Sequence, residues 1–516
     1  MTAFEDRPVV RKDTVLQFNL SGYITEHFPR DAFSREFEGA SLQLHDIRKA
    51  LTMAKADDRI RGIYLRIGFP AVGWAKAQEI RDALLEFKTS GKFVTAFMDY
   101  CDEMSYYISL AADEIFLQPH SFTEFNGFAA EVPFVKRMLD KIGMQVQVEN
   151  IGKYKNAPDM YKRESMSPAH REATQALLED VLGEFVATVS EQRNIDSEVL
   201  RNALNRGVYD SKSVLELNLV DSLDYEPAVV ELLKDKIFGP SRKDQRLRFI
   251  RLSRYAKVPM AEVGLSGGAR IALIYAIGGI VSGSDGQDPL SGRMMGSQTT
   301  VRYLRMAKND KRIKAVVLRV DSPGGSSVAA DEIWSEIEKV RQVKPVIVSM
   351  SDVAASGGYW ISMNADAIVA QPLTITGSIG VWLAIFDLSG TYDKLGIDWE
   401  TVKMGEHADI LTDKRPMTAE ERQTFRNMTR ETYDLFVQKV ASAREKTWDE
   451  IDEIAQGRIW TGRRALNYGL VDSLGGLGVA LSLAKQKATL PAGAKTEWVV
   501  YPQSKGFLES LLDKFS

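Results

Sequence analysis

Residues 359–372 read "YWISMNADAIVAQP", and residues 106–119 read "YYISLAADEIFLQP". Eight of the fourteen positions are identical, at an offset of 253. The same offset relates "DDRIRGIYLRI", starting at Asp57, to "DKRIKAVVLRV", starting at Asp310, and "DKIG" at Asp140 to "DKLG" at Asp393. Further on, "NLVDSL" at Asn218 and "GLVDSL" at Gly469 stand 251 apart, so the register drifts by two residues. A register kept over this distance marks a tandem duplication. The expected units are residues 1–240, a linker at 241–268, and residues 269–516.

Each half alternates β-rich runs with helical patterns. In the second, "RIALIYAIGGIV", "IKAVVLRVDS", "KPVIVSMSD" and "DAIVAQP" read as strands, and "SVAADEIWSEIEKVRQV" has apolar residues at helical spacing. Strands separated by helices predict βαβ units, a mostly parallel sheet and an α/β fold. The stretch "KDKIFGPSRKDQRLRFIRLSRYAK" between the halves is basic and weakly periodic. It reads as a solvated linker or surface helix, with contact to anionic lipid as the alternative.

With 516 residues, 44% hydrophobic and 26% charged, the chain has the composition of a folded protein with room for substantial cores. A net charge of −4 supplies no overall attraction to nucleic acid. One cysteine, Cys101, precludes an internal disulfide framework, and no Cys/His cluster has metal-site spacing, so neither metal nor cofactor is expected. "MTAFEDRPVVRKDTVLQFNL" lacks the apolar core of a secretory signal, and "ARIALIYAIGGIVSG" is too short to span a bilayer. The expectation is a soluble chain, with an upstream anchor left open.

Chemistry concentrates at two strand-to-helix turns. "IKAVVLRVDS" runs into Pro323-Gly324-Gly325, where glycines free backbone N–H groups to face a ligand near a helix N-terminus. "KPVIVSMSD" leads into "VAASGGYW", which presents Ser356 between two alanines and two glycines, as a nucleophile on a sharp turn. The amides of Gly324 and Gly357 are the expected oxyanion donors.

"VDSPGGS", "AASGGYWIS" and "TGSIGV" resemble the signal peptide peptidase A (protease IV) family of the Clp-protease and crotonase-like superfamily, in its long two-domain form. The resemblance covers nearly the whole chain. It implies a tandem duplication of a Clp-protease/crotonase-like βα-repeat domain and a serine–lysine dyad divided between the halves. The serine of the "ASGG" motif is Ser356, and the lysine of the "GxYK" motif, here "GKYK", is Lys155. Ser378, in "TGSIG", is implied to orient the lysine amine. A ring-like homo-oligomer, a tetramer, is also implied, acting at the membrane on cleaved signal peptides.

The duplication tests the dyad independently. The counterpart of Ser356 (356 − 253) is Glu103, and that of Lys155 (155 + 253) is Ala408. One half retains a lysine without a serine, the other a serine without a lysine, as expected if both make one site. A lysine can act as a base at neutral pH only if desolvation lowers its pKa from about 10.4 toward about 7–8. His407, in "GEHAD", is the rival base. Rival functions are crotonase-like acyl-CoA chemistry and a non-catalytic scaffold. Near the C-terminus, Phe507, Leu508, Leu511, Leu512 and Phe515 share one helical face, expected to pack on protein, with peripheral membrane contact as the alternative.

Overall fold

The run "IKAVVLRVDS" forms strand Ile313–Ser322, buried along most of its length, as a central parallel strand covered on both faces must be. In this computed structural model, which describes residues 8–27, 42–239, 245–288, 292–491 and 493–502, it lies inside an eight-stranded sheet. The main strand order is Ile459–Thr461, Ile375–Gly377, Val346–Ala355, Ile313–Ser322, Ala269–Ile277 and Thr496–Tyr501. Ala367–Ala370 joins Val346–Ala355 to Ser473–Leu474. Pairing is parallel except where Ile459–Thr461 meets Ile375–Gly377.

The first half builds a second sheet with the same layout. Its order is Ser222–Leu223, Glu114–Leu117, Phe93–Met98, Ile60–Ala71, Thr14–Thr25 and Arg248–Arg251, all parallel. The repeat register carries into the helices. Leu44–Ala56 and Trp74–Lys88 recur as Ser297–Asn309 and Ser327–Arg341, each displaced by 253. The chain is therefore an α/β tandem duplication, and each sheet packs against its own apolar clusters.

The basic stretch between the halves differs from the expected linker. Arg248–Arg251 adds an edge strand to the first sheet, pairing with Thr14–Gln17. Ile250, Leu252, Tyr255 and Val258 are buried in the first core. The stretch is basic because an edge strand leaves one side in solvent, and only Ile250 of "RFIR" is buried. Residues 240–244, within the same stretch, and the C-terminal apolar face from Phe507 to Phe515 lie outside the described residues.

The halves are joined where the repeat is broken. Strand Gln145–Ile151 of the first half pairs antiparallel with Val381–Asp387 of the second over seven residues, from Val381↔Ile151 to Asp387↔Gln145. The repeat counterparts of these segments, 398–404 and 128–134, form no strand. This cross-domain ribbon delivers the following turn, "GKYK", to the second sheet.

Candidate active site

Ser356 ends strand Val346–Ala355 and precedes the short helix Gly357–Trp360. Its backbone, at φ 54° and ψ −119°, lies where a residue with a side chain is uncommon. Neighbouring bonds hold that conformation: the Ser356 N–H donates to Gly377 O at 2.9 Å, and its carbonyl accepts from Trp360 N at 2.9 Å. Gly324, at φ 101°, abuts this turn so closely that a Cβ there would sit 2.6 Å from Gly357 N. The small residues around the serine thus serve close approach of two turns, as well as the sharp bend.

Lys155 arrives from the other half. Its Nζ lies 3.0 Å from Ser356 Oγ, 3.0 Å from Ser378 Oγ and 3.1 Å from Ser378 O. The "GKYK" turn is seated on residues 456–458. Tyr154 N donates to Gln456 O at 2.7 Å, and Lys155 N closes the turn on Gly152 O at 3.1 Å. Gly457, at φ 75°, is the contact floor, for a Cβ there would fall 2.6 Å from Lys155 Cα. Ser378, at φ 52°, is fixed by donating its N–H to Arg458 O at 2.7 Å.

Lys155 is 4% exposed, and burial lowers its pKa to about 7. Among the described residues no carboxylate forms an ion pair with it, so nothing offsets desolvation. The nearby lysines are engaged elsewhere: Lys153 with the Tyr154 hydroxyl at 3.2 Å, and Lys162 with Asn150 Oδ1 at 2.7 Å. His407 is exposed, 4.0 Å from Glu420, and Ala408 beside it is exposed as well. In the first half, Glu103 stands where a serine would, buried, its carboxylate accepting the N–H groups of Asn126 and Gly127 at 2.7 and 2.8 Å. That site is filled by its own side chain.

The amides expected to hold an oxyanion, those of Gly324 and Gly357, differ in their surroundings. Gly324 N–H already donates to Ser322 Oγ at 3.2 Å, while that hydroxyl donates to Gly278 O at 2.7 Å. A Cβ built on Gly357 would lie 3.1 Å from Gly325 N, so these two residues face each other at the turn. Among the described residues neither Gly325 N nor Gly357 N has a hydrogen-bond acceptor. The N–H groups of Gly357 and Gly325 are therefore free at this turn, while that of Gly324 is engaged. The free Gly325 amide is not legible in the sequence, because the Ser322 contact that occupies Gly324 is local three-dimensional geometry; Gln456 and Gly457 were missed because no motif marks them.

Comparison with known proteins places the chain in a family. A family model described as peptidase family S49 matches residues 86–237 and again 338–491. A serine protease SPPA, chloroplastic, of Arabidopsis thaliana is 36% identical over 504 residues, covering 98% of this chain and 73% of that protein. A protease 4 of Salmonella typhi is 36% identical over 475 residues, covering 89% and 75%. Among solved structures, a mutant ClpP1 from Listeria monocytogenes aligns with 41% of this chain and 95% of its own, at 15% identity and a TM-score of 0.27.

Proposed function

The chain belongs to peptidase family S49 and is a serine protease of the signal peptide peptidase type; from that premise we propose that Ser356 is its nucleophile and Lys155 its general base. The observation that carries this reading is the 3.0 Å contact between Lys155 Nζ, desolvated and without an acidic partner, and Ser356 Oγ on its strained turn. Ser356 Oγ attacks the scissile carbonyl carbon while its proton passes to Lys155 Nζ. The tetrahedral oxyanion is held by the N–H groups of Gly325 and Gly357. The Lys155 ammonium then protonates the departing amine as the C–N bond breaks, leaving an acyl-serine. Water attacks that ester, Lys155 takes the water proton, and the proton returns to Ser356 Oγ on release of the acid. Ser378, accepting from Nζ through its hydroxyl and carbonyl, aims the lone pair. Acyl-CoA chemistry and a non-catalytic scaffold require neither a serine on the turn nor a neutral lysine beside it.

The test is a pair of variants. Ser356→Ala and Lys155→Met are each expected to lose at least a thousandfold in peptide hydrolysis while folding normally. Activity within tenfold of the parent in either one overturns the assignment.

Substrates on this reading are extended apolar peptides, cleaved signal peptides included, laid beside the glycine turns by backbone pairing. The chain is further proposed to form a homo-oligomer, with four copies expected from the resemblance. Support comes from the repeat: a groove of about 310 Å³ lined by Asn126, Phe128, Leu182 and Asn205 is the first-half counterpart of the seat that receives "GKYK". The segment equivalent to the docking ribbon, 398–404, carries Val402 and Met404 at 92% and 95% exposure. Val402→Glu and Met404→Glu should lower the mass found by sedimentation, and an unchanged mass excludes that contact. Membrane association, peripheral or through an anchor outside this sequence, is proposed from the family's membrane-derived substrates; no helix among the described residues is long and apolar enough to cross a membrane, and failure to float with anionic vesicles would count against peripheral contact.

A further inference from the structure

A second lysine also crosses from the first half into the catalytic half, with the opposite electrostatics. Lys76, on helix Trp74–Lys88, is buried. Its Nζ donates to Asp321 Oδ2 at 2.6 Å and to Asp352 Oδ2 at 2.7 Å, and its backbone N–H donates to Asp352 Oδ1 at 2.9 Å. Burial opposes its charge, but the carboxylates of Asp321, Asp352 and Glu26 outweigh burial and raise its pKa. Glu26 is in turn paired with Arg319 at 2.8 Å.

Both aspartates stand at the roots of the hydrolytic turns. Asp321 immediately precedes Ser322, whose hydroxyl holds the Gly324 amide. Asp352 lies four residues before Ser356. Between them the strand ladder slips from Val320↔Met350 to Ser322↔Ala354, leaving extra residues on one strand as in a bulge. Asp321 Oδ1 accepts the N–H of Val353 at 3.1 Å inside that slip, standing in for a ladder bond. In the first half the counterpart of Asp321 is Gly68, and in the second that of Lys76 is Ala329. The bridge therefore occurs once, under the half that carries the nucleophile.

We propose that Lys76 is a positioning residue for hydrolysis: its ammonium clamps Asp321 and Asp352, and so fixes the Ser322–Gly325 turn relative to Ser356. This rests on the reading of Ser356 and Lys155 given above. Without the Lys76 ammonium two partly buried carboxylates face each other with no counter-charge between them, and the slip must open or take up a proton. Misplacement of catalytic groups by about 1 Å costs on the order of a hundredfold in rate. Lys76 itself does not touch substrate, so its loss should act chiefly on kcat, through the position of the oxyanion donors relative to Ser356.

The experiment measures kcat and KM on a fluorogenic apolar peptide, across pH, for the full-length parent, Lys76→Met, Asp321→Asn and the double variant, with melting temperatures alongside. Lys76→Met should lower kcat at least tenfold, with KM within threefold and the pH midpoint unmoved, because Lys155 is intact. Asp321→Asn should show the same split. The double variant should be no more than twofold below Lys76→Met, since both changes break one clamp. A smaller loss of kcat, a loss confined to KM, a displaced pH midpoint, or multiplicative losses overturns the proposal. Should Lys76→Met melt below the assay temperature, Asp321→Asn decides by the same criteria. Ser356→Ala separates the two readings: if it remains active, the site assignment fails; if it is inactive while Lys76→Met matches the parent, the clamp alone fails.

Discussion

Lys155 Nζ and Ser356 Oγ are 3.0 Å apart, although 201 residues separate them along the chain. The antiparallel ribbon of Gln145–Ile151 with Val381–Asp387 makes this possible, by carrying a first-half turn into the second sheet. On the proposed dyad, neither half is expected to be a peptidase alone. Residues 269–516 expressed separately should hydrolyse peptides at less than a thousandth of the full-length rate, and co-expression with residues 1–268 should restore activity. Full-length activity from the second half alone would mean that its base is local, with His407 the first residue to replace.

Burying Lys155 as a neutral amine has a cost that depends on pH. Its pKa is about 7 in the folded chain and about 10.4 when unfolded. Between those values the unfolded state binds the extra proton, so this residue makes stability rise with pH through that window. Its cost is largest below pH 7, up to roughly 4–5 kcal/mol, and vanishes above the unfolded pKa. Lys155→Met should therefore melt higher than the parent, with a larger gain at pH 6 than at pH 10. Thermal denaturation at both pH values checks this, and an equal gain at both would mean that the lysine is not desolvated.

Ser378 holds Nζ through both its hydroxyl and its carbonyl. Ser378→Ala removes the hydroxyl and leaves the carbonyl, so a partial defect is expected: kcat down about ten- to a hundredfold, with KM nearly unchanged. Steady-state kinetics with the fluorogenic peptide measure it. A normal kcat would leave the carbonyl as the sole orienting group.

The two crossing lysines were not equally legible. Lys155 stood out because a motif and the repeat arithmetic both pointed to it, while Lys76 sits in "WAKAQEIRDALLEFK" like any helix-surface lysine. Its proposed role depends on two aspartates 245 and 276 residues away, which no local pattern encodes. Strands such as Ile313–Ser322 were legible because burial on both faces demands a continuous apolar run. The ribbon joining the halves was hidden, since its repeat counterparts do not pair and duplication gave no second copy to compare. Gly325 rather than Gly324 is the proposed oxyanion donor because the Ser322 hydroxyl occupies the Gly324 amide, a contact visible only in three dimensions.

Gly457 is a mechanical prediction that involves no chemical group. A methyl there would overlap Lys155 Cα, and the residue needs φ 75°. Gly457→Ala should displace the "GKYK" turn, lowering activity at least tenfold and stability by about 1–3 kcal/mol. Kinetics and denaturant unfolding report both. Parent-like activity would show that the turn can shift without losing the contact to Ser356.

The most direct test of the divided dyad is the pH dependence of fluorophosphonate labelling at Ser356, located by peptide mapping, in the parent and in Lys155→Met. The rate in the parent should rise through a single midpoint near pH 7, as Lys155 loses its proton, and then level off. In Lys155→Met it should fall at least a hundredfold, with that midpoint gone. Labelling of Lys155→Met at the parent rate, or with the same midpoint, would contradict the assignment of Lys155 as the base.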